Sequence, residues 1–193
     1  MGTQPYKQLT KIDLNCNENN IVVEIGSENG EGSSLWLHTW AHEHSIKFYS
    51  VDVEHRMRER TYPEINWVVT SSGSNWCKDI LPGLNKTIKV LYLDNFDWIP
   101  DECEAIPDWV QHQIKCYADR GVVMSNYNCQ KEHYLQMLHC LPYMDKQSVV
   151  IMDDTWYNST INSWDGKCAM VIKLLQENGF KIHNGDLATR GIK

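Results

Sequence analysis

Ile21-Val22-Val23-Glu24-Ile25-Gly26-Ser27-Glu28-Asn29-Gly30-Glu31-Gly32-Ser33-Ser34 decides the reading of this chain. A run of β-branched apolar residues is interrupted only by Glu24, and three glycines follow within seven residues. A helix-like stretch then runs through Leu35, Leu37, Trp40 and Ala41, with Ser33 or Ser34 as its expected N-cap. The pattern predicts a buried parallel strand, a tight turn and a helix start. Glycine has no Cβ, so such a turn lets backbone approach a ligand closely. A nucleotide-like ligand is the first expectation.

The glycine spacing narrows the choice. A dinucleotide fingerprint is G-x-G-x-x-G. Taking Gly30 and Gly32 as its first pair places Leu35 at the third position. The chain has no G-x-x-x-x-G-K-[ST] phosphate loop either. Glu24, Glu28 and Glu31 flank the turn with no Lys or Arg among them. Three carboxylates repel a pyrophosphate and tolerate a ligand that carries sulfonium and ammonium groups.

A second strand, Lys47–Val51, ends at Asp52, about twenty residues beyond the turn, where nucleotide folds present a carboxylate to ribose hydroxyls. Glu54 lies on the same side by strand alternation and is the other candidate. Ile65–Thr70 reads as a third strand, followed by the polar loop Ser71-Ser72-Gly73-Ser74-Asn75 and a short helix over Asn75–Leu81. Lys89–Leu93 reads as a fourth strand ending at Asp94, and Ser148–Met152 as a fifth ending at Asp153-Asp154. Helices are expected over Asp108–Ala118, Gln130–Leu141 and Lys167–Glu177, then a strand at Phe180–His183 and a returning antiparallel tail. Alternating strands and helices predict an α/β fold, a doubly wound, mostly parallel sheet in one domain. Residues 98–127, with Pro100, Pro107 and Gly121, read as an insertion at the mouth of the site. Ligands in such sheets bind beyond the carboxyl ends of the strands, so Glu24, Asp52, Asp94 and Asp153 are expected to converge.

Bulk properties exclude several classes. A chain of 193 residues suits a single α/β domain. A formal charge of −7 argues against a nucleic-acid partner. No apolar run reaches the roughly eighteen residues of a membrane span, and no signal pattern opens the chain. Seven scattered cysteines without a C-x-x-C pair read as reduced thiols, which implies a cytoplasmic protein. Trp76, Trp98, Trp156 and Trp164 stand beside polar loop residues and are candidates for lining a pocket as well as for ordinary packing. His38, His42 and His44 lack the spacing of a zinc motif and read as a surface helix. Asn126-Tyr127 lacks the prolines of an amino-methylating motif, and no G-x-S-x-G elbow is present. Oligomeric state is open, a homo-oligomer included.

The acid before the first glycine and the spacing after it resemble motif I of the class I S-adenosylmethionine-dependent methyltransferases. That resemblance implies a Rossmann-like fold binding S-adenosylmethionine. Glu24, Gly26, Ser27, Gly30, Gly32 and Ser33 would shape the methionine and ribose end, and Asp52 would hold the ribose. Ser71 and Ser72 would border the adenine, and Asp94 would sit near the sulfonium. Asp94, Asp153 and Asp154 further resemble the metal-dependent O-methyltransferases of the catechol type. There an Asp after strand four and an Asp-Asn pair after strand five hold a metal that activates substrate hydroxyls. Mg²⁺ on these three acids is what that likeness implies. The catechol-type enzymes carry a Lys base three residues after the first Asp, where this chain has Asp97. His133 on the next helix is an alternative base. Asp153-Asp154-Thr155-Trp156 with the later Gly166-Lys167 is similar to a group of small bacterial and viral methyltransferase-like proteins, over about residues 20–185. Lys167 is read three ways: touching an anionic group of a substrate, capping the preceding loop, or solvated at a helix start. The implied acceptor is a small molecule or sugar hydroxyl. A cofactor-binding protein without chemistry and a nicotinamide oxidoreductase are the rival readings.

Overall fold

The computed structural model describes residues 4–27, 32–53, 62–99, 107–184 and 186–190. Its centre is β1 (Asn20–Ile25), buried at every position. β2 (Lys47–Asp52) and β3 (Asn66–Val69) extend the sheet on one side. β4 (Thr87–Leu93) and β5 (Met144–Met152) extend it on the other. A separate hairpin, β6 (Thr155–Asn158) and β7 (Ser163–Gly166), precedes the last two sheet strands, β8 (Phe180–His183) and β9 (Leu187–Arg190). The seven-stranded order is β3-β2-β1-β4-β5-β9-β8. The first five are parallel, and β9 runs antiparallel between β5 and β8. This is the α/β architecture that the strand–helix alternation predicts.

Strand alternation divides the core in two. Ile21, Val23, Ile25, Leu91, Leu93, Val150 and Met152 face one side. There they pack on α2 (Gly73–Asp79), α4 (Asn126–Cys140) and α5 (Ala169–Glu177) through Trp76, Met137, Val171 and Leu175. Val22, Phe48, Val90, Tyr92 and Ile151 face the other, under Leu37 and Trp40 of α1 (Ser33–Glu43) and under Tyr6 and Leu9 of a 3₁₀ turn at Pro5–Lys11. Trp76, a pocket candidate by sequence, is a core residue at 3% exposure. α3 (Asp108–Ala118) lies within the segment expected as an insertion. Among the described residues no helix is long and apolar enough to cross a membrane.

Four local differences from the sequence reading have physical causes. Gly32, not Ser33 or Ser34, is the N-cap of α1, because the Ser34 hydroxyl is drawn inward to Glu24. Helix α4 starts at Asn126, four residues earlier than expected, because the Ser125 hydroxyl accepts from the Asn128 N–H at 3.1 Å. β5 starts at Met144, before a register shift against β4. The polar Asp145–Ser148 stretch is held by a bond from the Asp145 N–H to the Ser148 hydroxyl at 2.8 Å and by the buried ammonium of Lys89, 3.3 Å from Asp145. The β6–β7 hairpin is unanticipated, although Thr155-Trp156-Tyr157 has strand character and Asn158 to Asn162 is turn-like.

Candidate functional site

Strand register brings the sequence-predicted acids into one row. Ile25 pairs with Val51 and with Leu93, and Leu93 pairs with Met152. Backbone bonds continue past the strand ends, from Gly26 N–H to Val51 C=O, from Asp94 N–H to Ile25 C=O, and from Asp153 N–H to Leu93 C=O, at 2.9, 2.9 and 3.0 Å. Gly26, Asp52, Asp94 and Asp153 therefore stand side by side at the carboxyl edge. Gly26 has φ of +92°, and a Cβ there would collide with the backbone of Asp94 and Asn95. Gly32 has φ of +68° and room above it, with the Tyr6 hydroxyl 3.7 Å from the Cβ position. Gly30, Glu28, Glu31 and Glu54 lie outside the described residues.

Asp52 secures the turn. Its Oδ2 accepts from the Ser27 N–H at 2.7 Å and from the Ser27 hydroxyl at 3.2 Å, and its Oδ1 accepts from the Val53 N–H at 2.6 Å. Glu24 lies beneath the turn and is fully buried. The Ser34 and Ser50 hydroxyls donate to its Oε2 at 2.6 and 2.9 Å, while Oε1 has no partner among the described residues. Burial pushes its carboxyl up to about 7 against the lowering effect of the serine hydroxyls, Ser33 included. Glu24 thus braces the first turn of α1 from below and presents no exposed surface.

Ser71 is exposed, whereas Ser72 is tied down as the N-cap of α2. Its hydroxyl donates to Glu132 Oε1 at 2.9 Å. Glu132 also accepts from the Ser74 N–H and hydroxyl, each at 2.9 Å, and from Gln136 Nε2 at 3.2 Å. This carboxylate of α4 organises the loop after β3. Nothing in the local sequence around Glu132 signals that role.

The acids after β4 and β5 meet a lysine. Lys167 Nζ lies 2.9 Å from Asp94 Oδ1, 3.3 Å from Asp154 Oδ2 and 3.6 Å from Asp153 Oδ2. The solvated reading of Lys167 is therefore corrected, since the residue is 7% exposed. Burial disfavours its charge, but the three carboxylates outweigh that and hold the ammonium well above the ordinary lysine range. Burial, then the charge of Asp94 and a hydrogen bond with it, raise the Asp153 carboxyl above its usual range. The Tyr92 hydroxyl donates to Asp94 Oδ2 at 3.0 Å. Burial and then Asp94 push that phenol far above its ordinary value.

The fit to a divalent cation fails on this donor set. Mg²⁺ needs oxygens at about 2.1 Å in an octahedron, and the space among the three acids is filled by the Lys167 ammonium. No group of three Asp, Glu, His or Cys among the described residues is arranged to hold a metal. His38 and His42 are neighbours with ring centroids 6.5 Å apart, and His44 stacks on Trp40.

The candidate bases are placed differently from one another. His133 is fully buried, with Nδ1 bonded to the Cys129 carbonyl at 2.8 Å and Nε2 without a partner among the described residues. Burial lowers its imidazole to about 4, so it is neutral near pH 7 and closed to an acceptor in this arrangement. Asp97 is half-buried in the loop after β4, where its charge adds to the burial that raises the Tyr117 phenol. That loop is built into its surroundings. Phe96, at φ of +69°, packs on Tyr117 with centroids 4.6 Å apart. Asn126 exchanges two 2.8 Å bonds with the Ile99 backbone. Trp98 meets Trp156 of the hairpin edge to face at 6.1 Å.

Neither a scan of protein-family models nor a search of curated proteins finds a match. Solved structures do match. The MycE methyltransferase from the mycinamycin biosynthetic pathway, in complex with Mg, SAH and mycinamycin VI, superposes with a TM-score of 0.58 at 11% identity. The match covers 97% of this chain and 49% of MycE. A second MycE complex, with Mg and SAH, gives 0.54 at 11% identity over 91% of this chain and 46% of that one. The chain spans about half the length of MycE. At the level these identities support, the chain has the Rossmann-like fold seen in MycE.

Proposed function

We propose that this chain is an S-adenosylmethionine-dependent methyltransferase that methylates a hydroxyl oxygen of a small molecule or sugar. The observation that carries the reading is the row of Gly26, Asp52 and Asp94 at the carboxyl edge of the sheet, with Gly26 held where no Cβ fits. The donor set suits the cofactor. A carboxylate accepts both protons of a vicinal diol, the acid-rich edge favours a sulfonium and an ammonium, and the MycE complexes hold SAH.

S-adenosylmethionine, when bound, supplies an electrophilic methyl on a sulfonium. Asp52 would hold the ribose hydroxyls, and Ser27 holds that carboxylate in place. The loop after β3, fixed by Glu132, would border the adenine through Ser71 and Ser72. Asp154, whose side chain is 51% exposed, is the accessible carboxylate of the acidic cluster. It accepts the proton of the acceptor hydroxyl, and the neighbouring Lys167 ammonium stabilises negative charge growing on that oxygen. Asp94 and Tyr92 keep the ammonium in position. Trp98 and Trp156 wall the acceptor side, and alignment within that wall supplies much of the rate.

A second reading, cofactor binding without chemistry, is favoured by the burial of His133 and by the absence of Lys or His from Asp94–Trp98. Calorimetric titration with S-adenosylmethionine and SAH tests the common part, and micromolar binding of both is expected. Methyl transfer to a panel of phenols and sugars separates the two readings. Absence of binding to either ligand would reject both.

A further inference from the structure

The acidic cluster at the ends of β4 and β5 already contains a cation, and that cation belongs to the chain. An ammonium carries three N–H bonds and no acceptor. Around Lys167 Nζ, oxygens of three different residues stand at 2.9, 3.3 and 3.6 Å. The side chain is 9% exposed, so this is an enclosed group and not a surface lysine resting on an acid.

Its position is imposed by the backbone. The hairpin pairs Thr155 with Gly166, which returns the chain to its starting point beside Asp154. The Lys167 N–H donates to the Asp154 carbonyl at 2.9 Å, closing residues 154–167 into a loop. Gly166, at φ of +91°, lies so near that carbonyl that a Cβ would collide with it. Gln130 of α4 fixes the same glycine by donating to its carbonyl at 3.0 Å. Each end of the loop thus delivers one member of the ion pair. Asp-Asp-Thr-Trp and Gly-Lys, eleven positions apart from Thr155 to Gly166, are two halves of one device.

We infer that Lys167 is the resident cation of the Asp94–Asp153–Asp154 cluster, standing where the catechol-type enzymes hold a divalent metal. The catalytic consequence rests on the methyl transfer proposed above; the identity of the cation does not. The ammonium donates to Asp94 and lies within ion-pair distance of Asp154 and Asp153, so it occupies the space a metal would need to bridge the three acids. An acceptor is therefore not chelated through two adjacent oxygens. It engages through a single hydroxyl at the exposed Asp154, and a vicinal diol is not required.

The test is titration with Mn²⁺, followed by the electron paramagnetic resonance of the free ion and by thermal unfolding, on the wild-type chain and on Lys167→Ala. Wild type is expected to bind no Mn²⁺ tightly and to show no rise in Tm. Lys167→Ala is expected to bind one Mn²⁺ at least about tenfold more tightly, with a rise in Tm, and to lose both on adding Asp153→Asn. Tight uptake of one Mn²⁺ by wild type, abolished by Asp153→Asn, would overturn the inference. So would a folded Lys167→Ala that takes up none. If Lys167→Ala does not fold, the wild-type titration decides alone. Calorimetry with S-adenosylmethionine in excess chelator is run beside it. Failure there rejects the proposed function and leaves the result on the cation standing.

Discussion

Gly26 and Asn95 lie on different strand-end loops, yet their backbones touch so closely that no side chain fits between them. The contact joins the turn after β1 to the loop after β4, the two segments a cofactor must bridge. Gly26→Ala adds a Cβ into backbone and requires φ of +92° from an alanine. Overpacking and left-handed strain together predict a loss of about 2–4 kcal/mol. Urea denaturation measures it, and a change below about 1 kcal/mol would mean the two loops part easily.

Glu24 and His133 predict opposite pH dependences. The Glu24 carboxyl is raised from 4.5 to about 7, so its contribution is full below about 4.5 and is lost as pH rises through 7. That loss amounts to about 3 kcal/mol. The His133 imidazole is lowered from 6.5 to about 4, so its contribution is full above 6.5 and is lost as pH falls through 4. The two offset each other between about pH 4.5 and 6.5 in the cofactor-free protein. Glu24→Gln should expose the rise with pH, and His133→Asn should expose the fall. Urea midpoints across a buffer series give the difference curves, in which the raised carboxyl of Asp153 cancels. Flat differences would show that neither group is shifted.

Removing Glu132 should loosen a loop it does not belong to in sequence. Glu132→Ala leaves Ser72, Ser74 and Gln136 without their common acceptor. The expected cost is about 1–3 kcal/mol, with the earliest loss of amide exchange protection in α2. Protection in α2 equal to wild type would place the organising interaction elsewhere.

Asp52→Ala should weaken S-adenosylmethionine and SAH alike, by about 10- to 100-fold, the worth of charge-assisted bonds to a diol. Calorimetry on both ligands reads it. Equal affinity in the variant would confine Asp52 to fastening Ser27.

Asp154→Asn keeps the hairpin backbone and removes the accessible carboxylate. Turnover should fall by about 10²- to 10⁴-fold with cofactor affinity unchanged, since Asp154 is assigned to proton transfer. A variant with full turnover would move that step to Asp97.

Much of the fold is legible in the sequence because its signals are local. Strands β1, β2 and β4, and the acids that follow them, are marked by apolar runs that end abruptly. A parallel register then places Asp52, Asp94 and Asp153 in one row with little freedom. The turn at Gly26 is also marked in sequence, by the glycine that a φ of +92° and the close backbone of Asn95 require.

Tertiary structure alone decided what those residues meet. Lys167 reaches Asp94 across 73 positions, and Ser74 reaches Glu132 across 58. Such pairs depend on which strands are neighbours and on how a hairpin returns, and neither leaves a periodic trace. Burial likewise belongs to the packed molecule. Glu24 reads as a cofactor-site acid and His133 as an alternative base in sequence, and the layers closing over β1 and α4 bury both, one as a brace and the other as a neutral core imidazole. Sequence specified the carboxylates at the strand ends. Only packing specified that a lysine, brought back by the β6–β7 hairpin, would stand among three of them.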